Sequence, residues 1–171
     1  HIFSVKTTAL QIKDYFNLKT DDFKIIVAAL GHDIAKHYSL KQMQKIIEKN
    51  ADLKKNCDKL DDKILHGFVA AHLLKTKFNI HDIEILEAVK FHTIGAITMS
   101  ELLKIIYIAD YIEPYRKFKP TFVITDFKNI DNLLAAVIIS KYEYLKKNNK
   151  NLHPQIFKLL EFYTDKKIEN Q

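Results

Sequence analysis

The chain has 171 residues, a formal charge of +6 and a single cysteine, Cys57. That length buries a core without disulfides or structural metal, and a lone cysteine excludes an internal bridge and a Cys-rich zinc site, as suits a reducing cytosol. No apolar run approaches the ~18 residues of a membrane span and no signal-peptide pattern opens the chain, so the expectation is one soluble cytoplasmic domain over residues 1–171 with no membrane partner.

Three glycines and three prolines leave little turn chemistry for an all-β domain, and the apolar spacing is helical nearly throughout. The pattern predicts an all-α bundle with helices at 2 to 17, 22 to 36, 40 to 50, 61 to 77, 82 to 92, 100 to 113, 130 to 147 and 154 to 168. The first follows His1, and a start on His rather than Met points to missing upstream sequence. The second opens on the capping run Thr20-Asp21-Asp22 and carries His32-Asp33, where Asp33 continues the apolar face of Ile26, Ala29 and Leu30. Ser39 caps the third and Asp61 the fourth. In the fourth, His66 shares a stripe with Val69, Ala70 and Leu73.

The fifth helix opens on a second His-Asp pair, His81-Asp82. Asp82 with Glu84 suits the positive helix N-terminus, so capping accounts for it and the pair is assigned no chemistry. At the end of that helix His92 follows Ile85, Ala88 and Val89 on one face. Ser100 caps the sixth helix, in which Asp110 follows Leu103, Ile106 and Tyr107. The segment Tyr115 to Thr125 reads as an irregular loop across the bundle. Asp131 reads as the cap of the seventh helix, and "LKKNNKNLHPQ" is a polar turn before the eighth. His37, His72 and His153 lack a supporting constellation, although His37, one turn beyond Asp33, can edge a site there.

Buried ionisable groups are costly unless paired or bound to metal. Five of them, His32, Asp33, His66, His92 and Asp110, fall on inward faces of four helices. Their convergence would make a mixed N/O site that suits Fe, Mn, Co or Zn better than Ca or a thiolate-preferring metal. Each glycine also lies beside a candidate: Gly31 before His32, Gly67 after His66, and Gly95 three beyond His92, where a missing side chain permits close approach. All basic residues except Arg116 are lysines, spread among abundant Ile, Asn, Phe and Tyr. That mixture is what AT-rich coding favours, so a solvated lysine surface is expected rather than a nucleic-acid patch, and the rare arginine stands out.

The order of His1, "HDIAK", "ILHGFVAAHLL" and "DIEILEAVKFHTIGAITMSELLKIIYIADYIEPYR" resembles the HD-domain superfamily of metal-dependent phosphohydrolases, and within it the bacterial YqeK family of symmetrical diadenosine tetraphosphate hydrolases. The likeness runs from His1 to about Arg116 and rests on the combined "HT-x-G", "M-S" and "AD-Y-IEP-x-R" pattern, since a bare HD dipeptide occurs twice. It implies an HD-domain helical bundle with two divalent metal ions, iron first with manganese or cobalt as alternatives. His1, His32, Asp33 and Asp110 would hold one ion, and Asp33, His66 and His92 the other, with Asp33 bridging. The implied reaction splits a dinucleoside tetraphosphate into two nucleoside diphosphates, two metals activating a water and clamping phosphate oxygens. Lys36 would meet a phosphoryl oxygen, and Arg116, Thr93 and Gly95 would contact substrate. In some small-genome bacteria such a domain follows a nicotinate-nucleotide adenylyltransferase, which implies an upstream nucleotidyltransferase domain in the same chain.

Two other readings stay open on the sequence. A one-metal HD nucleotidase or dNTP phosphohydrolase needs only His1, His32, Asp33 and Asp110, leaving His66 and His92 as substrate or structural groups. A non-catalytic nucleotide- or nucleic-acid-binding helical module would keep the fold without turnover. No oligomeric state is assigned by the sequence.

Overall fold

The computed structural model describes residues 1–57 and 60–168, and among them there is no strand. In chain order the α-helices are α1 (Ile2–Tyr15), α2 (Asp22–Gly31), α3 (Leu40–Glu48), α4 (Ala51–Cys57), α5 (Asp62–Lys77), α6 (Ile83–Phe91), α7 (Glu101–Ile112), α8 (Ile130–Lys147) and α9 (Gln155–Ile168), with a 3-10 turn at Ile124–Asp126. None of these described helices is long and apolar enough to cross a membrane.

α7 is the axis of the bundle. Leu102, Leu103 and every residue from Ile105 to Ala109 are buried, so this helix is apolar around its whole circumference and needs neighbours on all sides. α1, α2, α6 and α8 supply them, α5 covers α6, and α3 and α4 lie over α5. α9 packs on α8, and Leu159 and Tyr163 close that end of the core.

The predicted helices are present, with differences that local hydrogen bonding explains. α2 stops at Gly31 instead of running to residue 36. Beyond His32 the amides reach back three residues, Ile34 to Gly31, Lys36 to Asp33 and Tyr38 to Ala35, which tightens the chain into successive turns. Asp33 therefore sits in a turn, although it still faces inward as its helical phase implied. α4 was not expected. The Asn50 side chain accepts from the Leu53 amide at 2.9 Å and starts a new helix where the sequence reads as a continuation ending near residue 50. The cap of α8 is Asn129, which accepts from the Asn132 amide, rather than Asp131; the latter pairs with Lys104 instead. The other caps fall where expected, on Asp21, Ser39, Asp61, Asp82 and Ser100. α1 ends at Tyr15, and Asn17 turns the chain with φ of 50°.

Candidate active site

The turn after α2, the C-terminus of α6, the second turn of α5, the last turn of α7 and the start of α1 meet at one end of the bundle. They form the floor of a cleft of about 1260 Å³. His32 and His92 occupy equivalent positions, each the C-cap of its helix. In both, Nδ1–H donates to the carbonyl three residues back, Ala29 or Val89, at 2.7 Å. This bond fixes the tautomer and turns the Nε2 lone pair toward the centre. His66 comes from the middle of a fully packed helix face, and its Nε2 lies 3.1 Å from that of His92. The two helices come this close because position 67 is glycine. A Cβ there would stand 2.8 Å from the Lys90 carbonyl oxygen and 3.4 Å from His92 Cε1.

Asp33 sits between the imidazoles and divides its oxygens among them. Oδ1 lies 3.2 Å from His66 Nε2 and 3.7 Å from His92 Nε2. Oδ2 faces the other way, 3.2 Å from His1 Nε2 and 3.4 Å from His32 Nε2, and accepts from Lys36 Nζ at 2.6 Å. Asp110 Oδ1 completes that second side, 3.2 Å from His1 and 3.5 Å from His32. Arg116 binds the same carboxylate and donates through Nε to the Asp110 carbonyl at 2.7 Å.

The electrostatics follow from burial and from these neighbours. Burial works to raise the carboxyl of Asp33, but His32, His66 and Lys36 hold it well below the usual carboxylate range. Burial likewise opposes ionisation of Asp110, and His32 with Arg116 overcomes it. The two carboxylates in turn carry His32 up to about 9 against its own burial. His92 goes the other way, pushed down to about 3 by burial and by the charge of His32, so it is a neutral imidazole.

With the His32 proton displaced by a cation, imidazole nitrogens and ionised oxygens pointing at a common space would be the donor set of a hard-to-borderline divalent ion. His1, His32 and Asp110 place their ligand atoms within 4.8 Å of one another, and so do His32, Asp33 and His92. His32 Nε2 and Asp33 Oδ1 are buried without a hydrogen-bond partner, which a cation would relieve. The residues present therefore fit a metal.

Of the remaining sequence candidates, Lys36, Thr93 and Arg116 line the cleft. Gly95 does not: it takes a φ of +69°, and a Cβ there would run into Met99 and Leu159, so its place in the structure is one of backbone turn and packing. Two cleft residues escaped the sequence reading. Glu113 is 1% exposed and accepts from His1 Nδ1 at 3.2 Å and from the Tyr115 amide at 2.8 Å, so it orients His1 from behind. Its sequence signal is its place in the "AD-Y-IEP-x-R" pattern, just before the helix-ending Pro114, and the sequence reading gives it no role there. Lys141, on α8, is the second.

An HD domain model matches residues 1–115. The chain belongs to the HD-domain family. This HD-domain chain is 32% identical over 92% of its length to a Bacillus subtilis protein, of which it covers 84%, and 30% identical over 90% to a Halalkalibacterium halodurans protein, of which it covers 82%. Both relatives are named "Bis(5'-nucleosyl)-tetraphosphatase, symmetrical". A Mycoplasma genitalium protein named "Probable nicotinate-nucleotide adenylyltransferase/Ap4A hydrolase" is 36% identical over 58% of the chain, a stretch covering 27% of that longer protein. The HD domain also superposes on a Clostridium acetobutylicum structure described as an HD superfamily hydrolase involved in NAD metabolism. The TM-score is 0.77 and the identity 27%, over 97% of this chain and 88% of that one.

Proposed function

We propose that this protein is a metal-dependent hydrolase that splits bis(5'-nucleosyl) tetraphosphates symmetrically, diadenosine tetraphosphate giving two ADP. The observation that carries the reading is the division of the Asp33 oxygens between two imidazole groups at the floor of a cleft large enough for a dinucleotide. The names of relatives covered over more than four-fifths of their length support the substrate class. The assignment of ligands follows the two sides of Asp33: His1, His32, Asp33 and Asp110 for one divalent ion, Asp33, His66 and His92 for the other. The mixed N/O donors suit iron, manganese, cobalt or zinc, and the family resemblance puts iron first with manganese or cobalt as substitutes.

When bound, the two ions supply an activated water and positive charge to the phosphate oxygens. The chain's own residues do the rest. Glu113 and the carbonyls of Ala29 and Val89 hold three imidazoles in orientation. Lys36 keeps its ammonium on Asp33 at the cleft wall, within reach of a phosphoryl oxygen as charge develops on it. Arg116 fixes Asp110 and lies on the cleft wall, where a planar fork suits a polyphosphate. The leaving group is a nucleoside diphosphate, whose phosphate pKa of about 6 means that it needs charge stabilisation and no proton.

The Mycoplasma relative, with two activities in its name and this stretch covering 27% of it, supports an adenylyltransferase as neighbouring domain. The test of the function is incubation of purified protein with Fe²⁺, Mn²⁺ or Co²⁺ and diadenosine tetraphosphate, with products resolved by chromatography. ADP alone is expected. ATP plus AMP, or no turnover with any metal, overturns the reading, and one tightly bound metal per chain overturns the two-ion assignment.

A further inference from the structure

Lys141 lies on the α8 face that borders the cleft, and it is oddly placed for a lysine. Its Nζ donates to the Thr93 carbonyl at 2.6 Å and sits 4.4 Å over the centre of the Tyr107 ring. No carboxylate among the described residues comes within ion-pair distance. Besides the Thr93 carbonyl and the Tyr107 ring, the ammonium has no partner among the described residues. Burial outweighs the attraction of Asp110 and pulls the ammonium down to about 8, with Arg116 adding repulsion. Around it the Thr93 and Tyr107 hydroxyls are both buried and without a hydrogen-bond partner. Tyr107 is only 1% exposed, although it lines the cleft.

Three elements thus bring an under-used cation and two unpaired hydroxyls to one wall of the cleft, beside Asp110. A chain that merely folded would lose little by placing apolar groups at these positions, since an unpaired buried polar group costs stability. The placement is also held deliberately: the neighbouring Ser140 hydroxyl bonds Tyr111 on α7 at 3.1 Å, which fixes the rotation of α8. A cation beside two hydroxyls whose O–H donors are unused suits an anion with several oxygens.

We propose that Lys141, with the Thr93 and Tyr107 hydroxyls, forms a phosphate subsite that binds a phosphate of the nucleotide next to the one undergoing hydrolysis. This deepens the proposed function and rests on it for the identity of the substrate. Lys36 and Arg116 face the carboxylates of the floor, whereas Lys141 faces the wall. It therefore holds the part of the polyphosphate that departs as nucleoside diphosphate and acts by positioning.

The test is binding of ADP to Mn²⁺-loaded protein by titration calorimetry, which needs no turnover. Lys141→Met and Tyr107→Phe are compared with the parent, and the melting temperature of each is measured without nucleotide. Loss of a hydrogen bond to a charged group predicts ADP binding weakened about tenfold or more in Lys141→Met, with Mn²⁺ affinity unchanged. Tyr107→Phe, which removes only an unpaired oxygen, is expected to weaken ADP binding by severalfold and to melt no lower than the parent. Unchanged ADP affinity in both variants, or a parent protein that binds Mn²⁺ but no ADP, overturns the proposal. If Lys141→Met fails to fold, Tyr107→Phe alone decides. Parent protein that binds ADP in this way yet does not split diadenosine tetraphosphate overturns the substrate reading and leaves the phosphate subsite standing.

Discussion

The dipeptide His-Asp occurs twice, and the two copies sit at opposite ends of helices. His81-Asp82 precedes α6, where Asp82 accepts from the Ile85 amide at 3.2 Å and pairs with Lys24 at 2.9 Å. His81 meanwhile is exposed and, among the described residues, bonds Asn79 alone. His32-Asp33 follows α2, where the helix offers carbonyls instead of amides. A carboxylate at a helix N-terminus finds donors and the positive end of the dipole ready made. At a C-terminus it finds neither, so its stabilisation has to come from side chains. Asp33 takes it from its chain neighbours His32 and Lys36 and from His1, His66 and His92 on other elements. The local dipeptide is identical; which end of the helix it occupies decides whether it caps or collects cations.

The sharpest way to break this contrast is to remove each carboxylate. Asp33→Ala should lose metal and fall below detectable hydrolysis of diadenosine tetraphosphate. The same variant separates metal loss from misfolding: a chelator should lower the melting temperature of the parent, because a ligand bound only by the folded state stabilises it, and leave Asp33→Ala unmoved. Next in size is Glu113→Gln. Loosening the orientation of His1 should reduce metal affinity or turnover about 10- to 100-fold with the fold intact, measured by metal titration. Asp82→Ala should cost only a cap, about 1 kcal/mol in denaturant unfolding, with turnover unchanged. If Asp82→Ala and Asp33→Ala behaved alike, the distinction between the two ends would be wrong.

The smallest effect is in pH. Lys24, with help from the Ile85 amide, lowers the carboxyl of Asp82 below its ordinary value of 3.8 against slight burial. A depressed folded value means that the contribution is present above about 3.8 and is lost as pH falls through the lower folded value. The stability gap between parent and Asp82→Ala should therefore close in acid below that point. A gap that persisted at the lowest pH would mean that Asp82 acts by packing.

Much of this was legible in one-dimensional spacing. Helical phase turns Asp33, His66, His92 and Asp110 inward, and a capping side chain marks most helix starts. The helix restart at Ala51 was not legible: the third helix is expected to end near residue 50 with the next at 61, and only the Asn50 side-chain bond reveals the restart. Nor was the end of α2, since the turns after Gly31 use bonds three residues back and preserve nearly the same phase. Glu113 and Lys141 were missed for a different reason. Both stand where solvent exposure is the ordinary expectation, one at a helix end and one in the lysine-rich stretch "SKYEYLKKNNK". The bond to His1 goes with the burial of Glu113, and the Thr93 carbonyl and Tyr107 ring hold Lys141 at the half-buried cleft wall.

Gly67 carries a consequence for ion choice. Its missing methyl group lets the α5 backbone rest on the Lys90 carbonyl and beside the His92 ring, and this contact sets the gap between the His66 and His92 nitrogens. Bond lengths to common divalent ions differ by only tenths of an ångström. A Gly67→Ala exchange would wedge the two helices apart by a comparable amount while leaving every coordinating atom chemically the same. If His66 and His92 share an ion as proposed, selection among ions of similar charge would rest on helix spacing, held by a hydrogen atom where any other residue would put carbon.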